Sequence, residues 1–350
     1  DLLDVLLLLD ALGRFVAATV VVPLMLWTLV ALGMLSMLRF VPGRSLLQYW
    51  TRVGLLLALP LGLAAALLNL ELLAATLGPV PDLTWLSRPL APAVTDAASA
   101  DSAASPAWHG LFVGLGMGTL GAGGAAFVAV ARLTADAYAL RQFCVAHPPN
   151  APAWVQEQTS TLAKLLGIRR PVSVCCAPDI AVPMTVGGWH PRVFVPASLL
   201  SDTQALAMTL THELVHVQRF DYVVHALVRT VRALFVVHPL VVQCARSVAT
   251  HREQACDATV LAHNQVPRKA YAAFLLRWTQ RAASTPASAL KLAYSSSTLK
   301  SRIAAMASHS PTSRPTLSLV LSALLLASTF TLMACNDVGT EDVSAPAAPA

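Results

Sequence analysis

Four long apolar runs limit what this chain can fold into: Phe15–Leu38, Val53–Leu77, Gly110–Ala131 and Thr316–Ala334. Crossing about 30 Å of hydrocarbon takes about 20 helical residues, and each run is of that order. A backbone in lipid must satisfy its own hydrogen bonds, so such runs are expected as helices. Composition agrees. The chain is 56% hydrophobic and 12% charged, against about 45–50% and about 25% in soluble domains. This excludes intrinsic disorder, a coiled coil and a simple cytosolic enzyme. The third run carries Gly110, Gly114 and Gly118 on one helix face, and that stripe is expected to admit a neighbouring helix closely.

Charge in the short loops sets an orientation, because Lys and Arg mark the cytoplasmic side. Arg39, Arg44 and Arg52 lie between the first two runs, with no acid. Between the second and third, Asp82, Asp96 and Asp101 stand against Arg88. Arg132 and Arg141 follow the third run, and Lys300, Arg302 and Arg314 precede the fourth. Asp337, Glu341 and Asp342 follow it without a base. These loops agree on one topology. Residues 1–131 hold three spans (about 15–38, 53–77 and 110–131), with the N-terminus outside. Residues 132–314 form a cytosolic domain. A fourth span covers 315–335, and 336–350 is a disordered external tail. The net charge of +6 is then orientation information, and no direct nucleic-acid binding is expected. No row of ionisable residues runs through the spans, which argues against transport. Asp1, Asp4 and Asp10, with no early Lys or Arg, are the wrong start for a secretory signal peptide. The six cysteines contain no C-x-x-C pair, which argues against a disulfide framework and fits a reducing compartment.

Within the inner segment, residues 151–167 read as a helix with Gly167 as its C-cap. Val172–Cys176 and Arg192–Val195 read as strands separated by a Gly187-Gly188 turn. Ser201 and Gln204 form a capping box that opens a helix over 205–219. A helix pair is expected over Tyr222–Ser247, broken near Pro239, then a helix over 248–263 and another at Ala270–Ala283.

The chemistry lies in His212-Glu213-Leu214-Val215-His216. Residues four apart share a helix face, so both imidazoles can reach one Zn²⁺. Glu213 sits about 100° round the helix. From there it can act as general base on a water activated by the metal. Chance would produce roughly 0.004 such matches in this composition. A His₂ site needs a third protein ligand and an open fourth position. Glu253, on a different helix, is the candidate, and Asp257, one turn on, could orient a ligand imidazole. Cys256 reads as a small buried apolar residue and Asp221 as a cap or charge partner; His225 and His238 read as packing or capping residues in preference to the alternative that one helps the metal stabilise an oxyanion. The Arg192–Val195 strand, close to the motif in sequence, is expected to offer an edge to extended substrate.

The stretch from Thr211 to Tyr222, then His238-Pro-Leu-Val241, then His251-Arg-Glu-Gln-Ala-Cys-Asp257, resembles the BlaR/MecR family of integral-membrane zinc peptidases. Weaker likeness runs through Pro191–Pro196, Tyr271–Leu276 and Leu299–Ile303. The resemblance implies an α-helical membrane protein with four transmembrane helices and a mainly helical α+β, zincin-like metalloprotease domain in the cytosol. It implies Zn²⁺ held by His212, His216 and Glu253, with Glu213 as base, in a bacterial cytoplasmic membrane. The implied partners are the lipid bilayer and a cytosolic protein substrate, a DNA-binding repressor in the family's signalling role as antirepressor. Homo-oligomerisation is left open.

Family sensors carry a penicillin-binding domain beyond the last span. Here 15 residues follow Cys335. The Ser-x-x-K at Ser297–Lys300 lies on the wrong side and lacks its partner motifs, so no covalent β-lactam binding is expected of this chain. Leu332-Met-Ala-Cys335 reads as the end of a span rather than a lipidation site. Two other readings compete with a signalling protease: a housekeeping membrane protease, and a non-catalytic receptor with structural zinc. Water at the fourth coordination position would favour an enzyme, and a fourth side chain the receptor.

Overall fold

The computed structural model describes residues 2–40, 45–68, 106–178, 180, 182–264, 267–284 and 296–307. The end of the second apolar run, most of the 78–109 loop, the fourth run and the acidic tail lie outside these residues. Among these residues the fold is mostly helical, with one small sheet.

Helices α1 (Leu2–Val16) and α2 (Val22–Leu38) are joined by a π-helical turn, Ala17–Val21. Pro23 has no amide proton, so one helical bond is lost as the chain enters α2. The expected Phe15–Leu38 span is therefore not one uniform α-helix. Helix α3 (Ser45–Leu68) begins eight positions before the expected Val53. Helix α4 (Pro106–Ala146) runs past the boundary expected at Ala131. Residues 132–146 contain no Gly or Pro to stop it.

Among the described residues, two helices are long and apolar enough to cross a membrane, Ser45–Ala64 and His109–Ala146; Pro23–Leu38 is a shorter apolar helix. The first is 56% buried inside the protein and the second 11%. Protein therefore surrounds much of α3, while most of α4 faces outward. The glycine expectation is corrected. A Cβ at Gly110, Gly114 or Gly118 would meet nothing within 4 Å. Helices α1 and α4 instead approach through Gly13 and Gly116, where a Cβ would lie 2.0 and 2.3 Å from the carbonyl oxygens of Phe112 and Leu9. Gly116 is about 200° round the helix from Gly114, so the small-residue stripe faces away from α1.

Helix α5 (Ala153–Leu165) ends as expected, with Gly167 at φ +72°. Strands β1 (Ser173–Ala177), β2 (Met184–Val186) and β3 (Arg192–Pro196) form a sheet in the order β1-β3-β2. β3 pairs parallel with β1, Ser173 opposite Arg192, and antiparallel with β2, Thr185 opposite Val193. It is therefore the central strand, and its Val193, Phe194 and Val195 are fully buried. A parallel neighbour cannot follow through a tight turn, so the Gly187-Gly188 turn joins β2 to β3, not β1 to β3.

Helix α6 (Thr203–Gln218) starts one residue later than a Ser201 cap would place it. Asp202 is the N-cap, and its carboxylate accepts from the Ala205 amide at 2.9 Å. Ser201 instead donates to the Ser198 carbonyl. A carboxylate is the stronger acceptor for an exposed helix amide. Helices α7 (Asp221–Leu234) and α8 (Pro239–Asn264) break near Pro239 as expected. The helix expected at 248–263 is the second half of α8, since nothing within 240–263 interrupts it. Helices α9 (Arg268–Ser284) and α10 (Ser296–Ala307) complete the described chain.

Two main cores result. One joins the sheet to α5, α6, α9 and the end of α8, around Val195, Leu206, Leu210, Leu214, Val260 and Tyr271. The other joins α2 and α3 to α7 and the start of α8, around Trp27, Leu56, Val231, Val241 and Cys244. Trp27 Nε1 donates to the Leu55 carbonyl at 2.8 Å, tying α2 to α3. Replacing fully buried Leu206 by Ala removes its contacts and leaves a cavity, at a cost of about 2–5 kcal/mol. The detergent-solubilised variant should melt well below the parent, whereas Leu165→Ala, at a 72%-exposed position, should melt with it.

Candidate metal centre

Helix α6 sets the two imidazoles side by side, ring centroids 4.9 Å apart and nearly perpendicular. Glu253 arrives from α8. His212 Nε2 is 3.5 Å from its Oε2, and His216 Nε2 is 3.9 Å from its Oε1. Both gaps are long for a hydrogen bond. Donors at about 2.1 Å from a tetrahedral ion sit about 3.4 Å apart, close to the separation of His212 Nε2 from Glu253.

The far sides of both rings are already engaged. His216 Nδ1 lies 2.7 Å from Asp221 Oδ2. His212 Nδ1 lies 3.2 Å from the Tyr271 hydroxyl, which donates to Asp257 Oδ1 at 2.9 Å. With that proton pointed at Asp257, the Tyr271 oxygen accepts from His212 Nδ1–H. Each Nε2 thus keeps its lone pair, the tautomer a metal ligand needs. Asp257 itself is 3.6 Å from His212, so it acts on the ring through Tyr271.

Three arginines neutralise three carboxylates here. Arg302 holds buried Asp257 through two bonds of 2.7 and 2.6 Å and stands 3.5 Å from Glu253. Arg252 donates to Glu253 at 3.0 and 3.1 Å. Arg219 donates to both oxygens of Asp221. Burial alone would raise the Asp221 pKa, but Arg219 and the His216 hydrogen bond more than offset it and hold it at about 2. Burial likewise opposes ionisation of Glu253, but Arg252, His212 and His216 keep it well below the usual carboxylate range.

Asp221 reaches His216 because the chain reverses at Phe220, which adopts a left-handed φ of +56°. That conformation is costly for a non-glycine residue. The guanidinium of Arg170 lies 3.5 Å over the Phe220 ring and Trp189 meets its edge, holding the turn.

Glu213 is buried, and its Oε2 accepts from Thr185 Oγ1 of β2 at 2.7 Å. Glu213 and both histidines line a cavity of about 580 Å³. Leu140 and Phe143 of α4, Met184 and Val186 of β2, Tyr222 and Phe274 supply much of its apolar wall. His225 also lines it, its pKa lowered to about 4 by burial and by Arg252 and Arg229. His238 stands elsewhere, 3.2 Å from Thr28 Oγ1 and edge-on to Trp27, a packing role as expected.

A second donor set is present: His212, His216 and Cys256 also have ligand atoms within 4.8 Å of one another. Cys256 is fully buried, and its Sγ is nearer the Nδ1 of His216 (3.3 Å) than the Nε2 (3.7 Å). Burial pushes its thiol pKa well up; Arg219 opposes this, while Asp221, Glu253 and Asp257 add to it. Geometry favours the carboxylate set, whose oxygens face the Nε2 atoms of both rings, whereas the Cys256 sulfur lies nearer the His216 nitrogen that Asp221 engages.

The residues that the motif and its helix partner single out, His212, Glu213, His216 and Glu253, thus meet at one place, with Asp257 behind them. Sequence reasoning does not reach Thr185, Tyr271 or Arg302, and gives Asp221 no role at the metal. Asp221, Tyr271 and Arg302 all stand inside the stretches that carry the family likeness, which is the signal that could find them. Thr185 has no such signal, because its partner depends on the sheet order.

Residues 15–306 match the family model of the BlaR1 peptidase M56. The chain belongs to this family of membrane metallopeptidases. No curated protein matches it.

Replacing Arg302 by Met strands Asp257 in a site where both side chains are at most 2% exposed. Breaking such a pair costs about 3–5 kcal/mol, whereas replacing both partners is far milder. Arg302→Met should lower the melting temperature sharply, and Arg302→Met with Asp257→Asn should recover much of the loss.

Proposed function

We propose that this chain is a membrane-embedded zinc endopeptidase that cleaves a cytosolic protein in signal transduction, with cleavage of its own chain as a second event. The observation that carries the reading is the convergence of two imidazole Nε2 atoms on Glu253, with Glu213 tethered beside them on the wall of an apolar cavity. His212, His216 and Glu253 would hold the ion, which when bound polarises the scissile carbonyl and the attacking water. Glu213 takes the proton of that water and passes it to the leaving amine. Its bond from Thr185 fixes the carboxylate's direction. Asp221 and Tyr271 fix the rings.

The expectation that Arg192–Val195 offers an edge to extended substrate is corrected by the central position of β3, whose two sides are both paired. β2 is the outer strand on the cavity side. We assign it the docking role: a substrate strand pairs with Met184–Val186. The apolar wall then favours an apolar side chain next to the cleaved bond. The zincin-like domain, the four spans and the cytosolic placement of 132–314 rest on the charge bias of the loops and on family membership. A transcriptional repressor as substrate rests on the family's signalling role.

Glu213→Gln should retain zinc and lose cleavage by about 10²–10⁴-fold. Retained cleavage would refute the mechanism. One substrate accumulating in Glu213→Gln cells supports signalling; many would mark a housekeeping protease. Metal analysis of purified protein separates the two donor sets. Glu253→Gln should lose most of the zinc, and Cys256→Ser should keep it. The reverse outcome would favour the His/His/Cys set and a structural role for the metal.

A further inference from the structure

Tyr49 lies in the first turns of α3, within one of the two helices apolar enough to cross a membrane, yet it touches the metal centre's supporting shell. It is fully buried. Its hydroxyl donates to Asp221 Oδ1 at 2.9 Å, and the other oxygen of that carboxylate accepts from His216 Nδ1 at 2.7 Å. Arg219, which grips both oxygens of Asp221, lies 5.0 Å over the Tyr49 ring. Thus Asp221 accepts from His216, Arg219 and Tyr49, with the Cys256 thiol at a longer 3.9 Å from Oδ2. The first two precede it closely in sequence, on α6 and the turn that follows. Tyr49 comes from 172 positions away.

The contact is held in register by packing. Val53 and Leu56 of α3 share a core with Val241, Cys244 and Val248 of α8, the helix that further on carries Glu253. A carboxylate with two or more partners on each oxygen has little freedom to rotate. If the Tyr49 hydroxyl withdraws, Oδ1 is left with one long bond of 3.2 Å to Arg219 Nε, and the carboxylate is held by fewer partners. The acceptor that fixes the His216 ring is then less firmly placed.

We propose that Tyr49 is a positioning residue for the metal centre, through which the apolar helix α3 sets the orientation of His216. The inference rests on the reading of His212, His216 and Glu253 as a zinc site. Tyr49 does not line the cavity. Its loss should therefore act on the metal and on turnover, leaving substrate binding alone.

The test is Tyr49→Phe in the full chain, purified in lipid nanodiscs. Phenylalanine keeps the ring under Arg219 and removes only the hydroxyl. Zinc affinity is measured by competition with a chromophoric chelator, which needs no peptidase activity. Loss of an outer partner of a ligand imidazole costs on the order of tenfold, at the low end of the usual range. Zinc affinity should fall by about that factor, and kcat should fall with KM unchanged. Adding Tyr49→Phe to Asp221→Asn should cause little further loss of affinity, because both act through one bond chain. Unchanged zinc affinity in Tyr49→Phe, or losses that simply multiply in the double variant, would overturn the proposal. A parent protein that binds no zinc would instead overturn the reading of the site itself. Should Tyr49→Phe prove too unstable to purify, zinc release from a parent chain carrying 3-fluorotyrosine at 49 replaces it. An off-rate identical to the parent's would count against the proposal, and an altered one would support it.

Discussion

Buried charge must be paired, and that requirement organises the active region. Asp221, Glu253 and Asp257 lie at the interior of the packed helices, each against an arginine. An unpaired carboxylate there would be costly enough to disrupt the packing around it. Pairing also fixes geometry. Arg302 comes from α10, so the last described helix must close over α8 before Asp257 is satisfied. Once these carboxylates are pinned, Tyr271 and the two imidazoles have little choice of orientation. The apolar cores supply the driving force for collapse, and the charge network selects one arrangement within it.

How much of this is legible in the chain varies by feature. The paired histidines are plain because helical periodicity puts positions 212 and 216 on one face whatever the tertiary fold. Glu253 is reachable because it stands one turn before Asp257 in a helical stretch. Tyr271 and Arg302 are beyond periodicity, since a hydroxyl or a guanidinium acquires a role only when a distant helix docks. Thr185 shows the same limit for strands: strand-like composition does not reveal which strand is central. Ser201 and Asp202 both qualify locally as the cap of α6, and the better acceptor prevails. The glycine spacing in α4 is real, but spacing alone does not reveal which face a neighbour takes.

The apolar helices divide the labour. α4 keeps most of its surface outward and continues without a break until Leu140 and Phe143 line the cavity. α3 is enclosed by α2, α7 and α8. One helix therefore contributes a wall and the other a hydrogen bond. The peptidase region is built against both, and α3 touches Asp221 directly through Tyr49.

Helix α8 takes part in both main cores over 26 residues, with Leu240–Val248 in the cluster around α2 and α3 and Cys256–Val260 in the cluster around the sheet. A continuous helix cannot melt at one end and stay fully supported at the other without a break, and this one has no internal Gly or Pro to provide a break. The two cores are therefore thermodynamically linked through a shared backbone. Amide protons on either side of Glu253 are then expected to exchange through a common opening. The stiffness of the candidate metal centre is set in part by how firmly the apolar helices clamp the far end of α8.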